Sequence, residues 1–263
     1  MADCPILFSA PMVQALLREA RQPGTGKTQT RRILTRLSKV GAVTEFGPSD
    51  TTSYDWHFRD KGMRWHDLRD AELKARLPWR VGDRLWVKEK WQTGSGLDGP
   101  QIAFRATGDC HDIEAWDGED EGAGPCFNYA RCPGANWHTW LPDLLSGAEG
   151  IWRQSLFMPR WASRLTLLVT DVQVERLHDI SEADVIAEGL KPETCAGQRI
   201  WNPGPPHGHF AHPQVAYRMI WEEIHEPGSW DLNPWIVAVT FSVHTRNIDQ
   251  LAPAEALDIA GPA

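Results

Sequence analysis

The sequence predicts an α+β fold: a mostly antiparallel, barrel-like sheet with flanking helices and large loop insertions. Three observations point there. Short runs of β-prone residues recur along the chain, among them "RLWVKEKW", "QIAFRATG", "SRLTLLVTDVQVERL" and "NPWIVAVTFSVH", and such runs bounded by Gly and Pro read as strands. Helical spacing is confined to a few segments. Strands and helices do not alternate regularly, which argues against a parallel sheet with crossover helices.

In chain order, Pro5–Phe8 reads as a strand and 10–21 as a helix, with Met12, Ala15, Leu16 and Leu17 at helical spacing. A loop follows. Thr28, Thr30, Ile33 and Thr35 then favour an extended segment. Region 37–77 is polar and mixed and ends in a short helical pattern, "DLRDAELKARL". Val81, Gly82 and Asp83 form a turn into a strand that starts at Leu85 and Val87 and runs through Lys88 to Trp91; another covers 101–108. Region 109–150, rich in Gly, Asp and Pro, reads as a loop insertion. Residues 163–177 alternate as a long strand on Leu165, Leu167 and Val169, then Val172 and Val174. A helix over 179–190 has Ser181 as N-cap, Asp184 three residues on, and Gly189 at its end. Region 191–213 reads as a loop, 213–224 as an amphipathic helix and 233–244 as a closing strand. These elements predict one domain over 1–245 with insertions near 37–77, 109–150 and 191–213, then a loose tail over 246–263.

The 263 residues are 41% apolar and include 14 tryptophans, enough for a packed core. No run of about 18 apolar residues occurs, so no membrane partner is expected. The N-terminal stretch has no basic segment and carries Asp3, and the five cysteines form no dense framework. Those features predict a reducing, cytoplasmic location. The net charge of −8 argues against a general duplex binder. Basic residues gather at Arg18, Arg21, Lys27, Arg31, Arg32 and Arg36, and again at Arg153, Arg160 and Arg164, while 109–121 is acidic. A compact basic site beside an acidic stretch suits a small anionic or nucleotide-like ligand better than long nucleic acid; solvated charged faces are the plainer account of such runs.

The stretch "PGTGKT" resembles a nucleotide-binding phosphate loop, but position 21, where the first glycine belongs, is Arg21. The flanking order of helix, loop and strand is also the reverse of what that motif requires. Cys110, Cys126, Cys132 and His138 lack the close pairs of a structural zinc site, and "HGHFAH" at 207–212 reads as an exposed loop. No metal and no cofactor is expected.

The combination of "GKTQTRR" after the first helix, "VGDRLWVKEKW", "FMPRWASRLTLLVTDVQVERLHDISEADVIAEGL" and "SWDLNPWIVAVTFSV" resembles the ASCH family, in a phage- or prophage-type form. The resemblance implies a PUA-like barrel. It also implies kinship with small N(4)-acetylcytidine amidohydrolases, whose lysine, threonine and glutamate fall on Lys27, Thr30 and Glu188. The family often has a basic residue directly before this lysine, where Gly26 stands here. The expected activity is hydrolysis of an acylated cytosine nucleoside or related modified nucleotide. Thr30 would be nucleophile, Lys27 base and Glu188 the orienting or proton-passing acid, or Glu188 would activate water while Lys27 and Thr30 bind the carbonyl oxygen. Gln29, Arg31, Arg32, Arg160 and Trp161 are the candidate substrate-binding residues. The alternative is a non-catalytic binder of modified bases or single-stranded nucleic acid, or a ribonuclease, using the same cleft. Residues three apart on a strand face opposite ways, so Lys27 is expected in the loop rather than on the strand with Thr30.

Overall fold

A computed structural model describes residues 2–97, 99–113, 116–120, 124–204 and 206–251. Its first third contains β1 (Asp3–Leu7), α1 (Ala10–Arg21), β2 (Gln29–Ile33), β3 (Arg36–Leu37), β4 (Gly41–Pro48), β5 (Trp56–Asp60), β6 (Trp65–Leu68) and α2 (Asp70–Lys74). The middle holds β7 (Arg84–Lys88), β8 (Trp91–Gly96), β9 (Gly99–Phe104), β10 (Asp109–Asp112), β11 (Trp116–Asp120), β12 (Gly124–Phe127) and α3 (Leu141–Ser146). The last part holds β13 (Thr166–Arg176), α4 (Glu182–Ala187), β14 (Pro192–Cys195), β15 (Gln198–Trp201), α5 (Pro213–Ile224) and β16 (Trp235–His244).

The fold is α+β with mostly antiparallel pairing. The largest sheet has the order β1-β7-β13-β16-β2. β16 and β2 run antiparallel, with Thr30 opposite Val239 and Arg31 opposite Ala238. β1 and β7 are parallel, with Asp3 opposite Arg84. The expected barrel closure is not formed among the described strands, because β1 and β2 stand at opposite ends of this sheet. Periodicity identifies strands but not their neighbours, and β1 takes the distant β7 as its partner.

The chain forms two compact units. The first gathers 18–83 and 168–242. Its core packs Leu177, Val185, Trp201 and Trp221 with Ile236 and Ala238 of β16. Region 37–77 contributes the four-stranded sheet β3-β4-β5-β6. Among the described residues the second unit gathers 2–17, 84–167 and 243–251, around Trp91, Ile102, Phe104 and Met158. Region 109–150, expected as loop, carries β10 paired with β9, then β11, β12 and α3. Region 191–213 contains the hairpin β14–β15, in which Ala196 and Gly197 both take positive φ, +50° and +79°. Two left-handed residues in a two-residue hairpin loop match the twist of the strands, but polar strands such as "PETC" show no apolar alternation, so neither insertion advertises its strands. The start of the expected loose tail is also anchored. Ile248 and Leu251 are buried, and Arg84 donates hydrogen bonds to both of their carbonyls. From 252 on, the tail lies outside the described residues. Among the described residues no helix is long and apolar enough to cross a membrane.

Candidate functional site

The site lies in the first unit, where the α1–β2 loop meets the end of α4. Ser181 caps α4: its hydroxyl accepts from Asp184 N, and the Asp184 carboxylate accepts from Ser181 N. Glu188 is the C-cap residue, and Gly189, at φ +102°, turns the chain away. The signals that bound α4 in sequence therefore place Glu188 on its last turn. The loop docks there through a hydrogen bond from Thr28 N to Ala187 O at 2.8 Å. β2 then begins at Gln29, so Lys27 lies in the loop, as strand geometry requires.

Lys27 and Glu188 form a buried ion pair, with side-chain exposures of 0% and 2%. The ammonium donates to Glu188 Oε2 and also to the Glu188 carbonyl oxygen at 3.1 Å. The other carboxylate oxygen, Oε1, accepts from the Tyr217 hydroxyl at 3.1 Å and lies 3.6 Å from Arg31 Nη1. Arg31 also reaches Glu175 at 2.8 Å and Asp184 at 3.2 Å and donates to Gln29 Oε1. Both Glu188 oxygens are therefore engaged inside the protein. That geometry suits an acid that aims Lys27 better than one that activates water.

Burial holds the Lys27 ammonium below its ordinary pKa; Glu188 opposes this, and Arg32 and Arg31 reinforce it. The charge of Arg31 is disfavoured by burial but more strongly favoured by Glu188, Tyr217, Glu175 and Asp184, so its pKa rises. Arg32 is pushed down by burial against the pull of Glu188 and Tyr217. Tyr217 is held well above its ordinary 10.0, first by burial and then by the Glu188 charge.

These shifts have opposite consequences for stability. Below 10.5 the unfolded chain holds the lysine proton more firmly than the folded one, so the Lys27 contribution makes stability rise with pH. Above 10.0 the folded chain holds the Tyr217 proton that the unfolded chain releases, so that contribution makes stability fall. Tyr217→Phe is expected to flatten the fall and leave the rise. Urea midpoints across about pH 8–11 check this; a fall of unchanged steepness in the variant would assign it to other groups.

Thr30 is 2% exposed and stands between Gln29 and Arg31 on β2. Alternation turns its side chain to the face of Arg32, opposite that of Gln29 and Arg31. Gln29 donates to Thr240 Oγ1 across the ladder at 3.3 Å. Arg160 and Trp161 belong to the second unit. There Arg160 is held by Asp3 and Asp249, both at 2.6 Å, and the Trp161 indole donates to Pro133 O at 3.1 Å. Among the described residues no group of three or more His, Cys, Asp or Glu is arranged to hold a metal; the side chain of Cys126 lies outside them. In the "HGHFAH" loop, His207 lies 3.5 Å from Glu223.

Sequence reasoning missed Tyr217, Glu175 and Asp184 as members of this cluster. Tyr217 sits beside Ala216 and one turn before Trp221 on the buried face of α5, so it reads as plain core. A buried tyrosine nevertheless carries a hydroxyl that needs a partner, and that was the available signal. Comparison with protein-family models, curated proteins and solved structures finds no match to the chain.

Proposed function

We propose that the protein is an amidohydrolase-like enzyme with a PUA-like fold, acting on an acylated cytosine nucleoside or a related modified nucleotide. The observation that carries this is the fully buried Lys27, paired with Glu188 and flanked by Arg31 and Arg32. A lysine serves as a base only when its pKa is depressed, and burial together with two arginines pushes in that direction. In the proposed reaction the Thr30 hydroxyl attacks the acyl carbon and gives its proton to Lys27, which must first lose the proton that pairs it with Glu188. The C–N4 bond breaks as Lys27 returns the proton to the leaving amine. Water then hydrolyses the acyl-threonine ester, releasing the small acid. Glu188 orients Lys27, while the charges of Arg31 and Arg32 act on that pair.

A second reading, a non-catalytic binder of modified bases or single-stranded nucleic acid, asks for no proton transfer at Lys27 or Thr30. Lys27 and Thr30 are 0% and 2% exposed, and both Glu188 oxygens are used internally. Catalysis would need the loop to open toward the substrate.

The test is a chromatographic assay of acid release from N(4)-acetylcytidine and longer acyl analogues. Thr30→Val and Lys27→Met are expected to lower turnover by about 10²-fold or more. Circular dichroism and a thermal melt confirm that each variant is folded. Turnover that survives both substitutions would keep the enzyme and discard this mechanism. No turnover of any analogue, with tight binding of a modified oligonucleotide, would replace the enzyme with the binder.

A further inference from the structure

A phosphate loop works through two groups: consecutive backbone N–H groups that converge on the anion, and a lysine ammonium just beyond them. The α1–β2 loop has both, and both are engaged by carboxylates of the same chain. Glu19, on the last turn of α1, accepts from Gly24 N at 2.9 Å on one oxygen. Its other oxygen accepts from Thr25 N at 3.1 Å and Gly26 N at 2.7 Å. Thr25 N also lies 3.2 Å from Gln22 O. Gly24 has φ +78°, a conformation glycine adopts without strain, and this is what lets successive N–H groups point inward. Glu19 is only 9% exposed. The ammonium of Lys27 is paired with Glu188. Arg18 completes the arrangement, donating to Thr25 O and to Gly189 O, each at 2.7 Å.

We infer that residues 24–26 form an anion cradle carrying its own anion, and that Glu19 closes these three backbone amides to a phosphate group, wherever else on the protein a phosphate-bearing ligand is held. A carboxylate anchored on α1 competes at an intramolecular effective concentration that dissolved phosphate does not match. Displacing it would strand a buried charge, and an entering phosphate would meet Glu19 as a like charge. Removing the Glu19 charge should therefore expose a working phosphate site. The inference holds whether the protein is a hydrolase or a binder, because it concerns the loop alone.

The experiment titrates inorganic phosphate into wild type, Glu19→Gln and Glu19→Ala, with sodium chloride at equal ionic strength as control. The readouts are the amide NMR signals of Gly24, Thr25 and Gly26 and the melting temperature. Wild type is expected to show no saturable shift of these amides. Glu19→Ala is expected to show saturable shifts at millimolar phosphate and a Tm that climbs with phosphate but not with chloride, as ligand linkage requires. Glu19→Gln, which keeps a neutral acceptor, is expected to fall between them. If Glu19→Ala is too unstable for NMR, recovery of its Tm by phosphate is the supporting result and absence of recovery overturns the inference. Saturable phosphate shifts in wild type, or none in a folded Glu19→Ala, would also overturn it.

Discussion

Glu188→Ala is expected to lower the unfolding free energy by about 3–5 kcal/mol, the usual cost of breaking a buried ion pair from one side. The reason is what the variant strands rather than what it removes. Lys27 would be buried without its counter-charge, the Tyr217 hydroxyl would lose its acceptor, and Arg31 would lose one of three carboxylates. A buried charge has no solvent to fall back on, whereas the intact pair roughly balances Coulomb attraction against desolvation. The double variant Lys27→Met with Glu188→Ala should therefore be more stable than Glu188→Ala alone. Urea unfolding of wild type, both single variants and the double variant closes the cycle. A loss below about 1 kcal/mol for Glu188→Ala would mean that water reaches the pair, and the picture of a dry, pre-aimed lysine would fall.

Gly94→Ala is expected to cost about 3 kcal/mol, while Gly96→Ala, two residues along the same strand, should cost under about 1 kcal/mol. A Cβ on Gly94 would lie 2.2 Å from the Thr139 carbonyl oxygen and 2.9 Å from Leu141. Backbone must move, and the hydrogen bond from Ser95 N to Thr139 O at 2.9 Å moves with it. A Cβ on Gly96 would lie nominally closer to its neighbour, 1.9 Å from Gln101 Oε1. That neighbour is the tip of a flexible side chain, which can rotate away. Thermal melts of the two variants decide it; equal losses would show that segment 139–141 yields as easily as a glutamine side chain.

The elements that were legible in sequence are those with strong periodicity and caps. α1 and α5 occupy 10–21 and 213–224 as expected, and β13 and β16 lie within the long alternating runs. Ser181, Asp184 and Gly189 mark α4, and so fix where Glu188 sits. The run from Leu85 to Trp91 is broken between β7 and β8 at Glu89 and Lys90, and the strand expected over 101–108 ends at Phe104. Propensity alone does not register the turns that pairing imposes there. The choice of Lys27 and Glu188 came from the resemblance to the ASCH family, not from any local property of the two residues. The supports of the loop were invisible for a physical reason: Glu19 and Arg18 look like ordinary exposed charges at a helix end, and only the folded loop gives them partners. The depth of burial was likewise hidden, since a loop lysine ordinarily reads as solvated.

The second unit also constrains how the molecule can be made. Asp3 is bound to Arg84 and Arg160, and Arg160 also holds Asp249. At a synthesis rate of about 5–20 residues per second, β1 waits roughly 4–16 s on the ribosome before its partner strand β7 exists. Ile6 and Phe8, 3% and 4% exposed in the finished fold, spend that interval without their native cover. Packing of 247–251 cannot form until almost the whole described chain has emerged. Such non-local closure makes for slow folding.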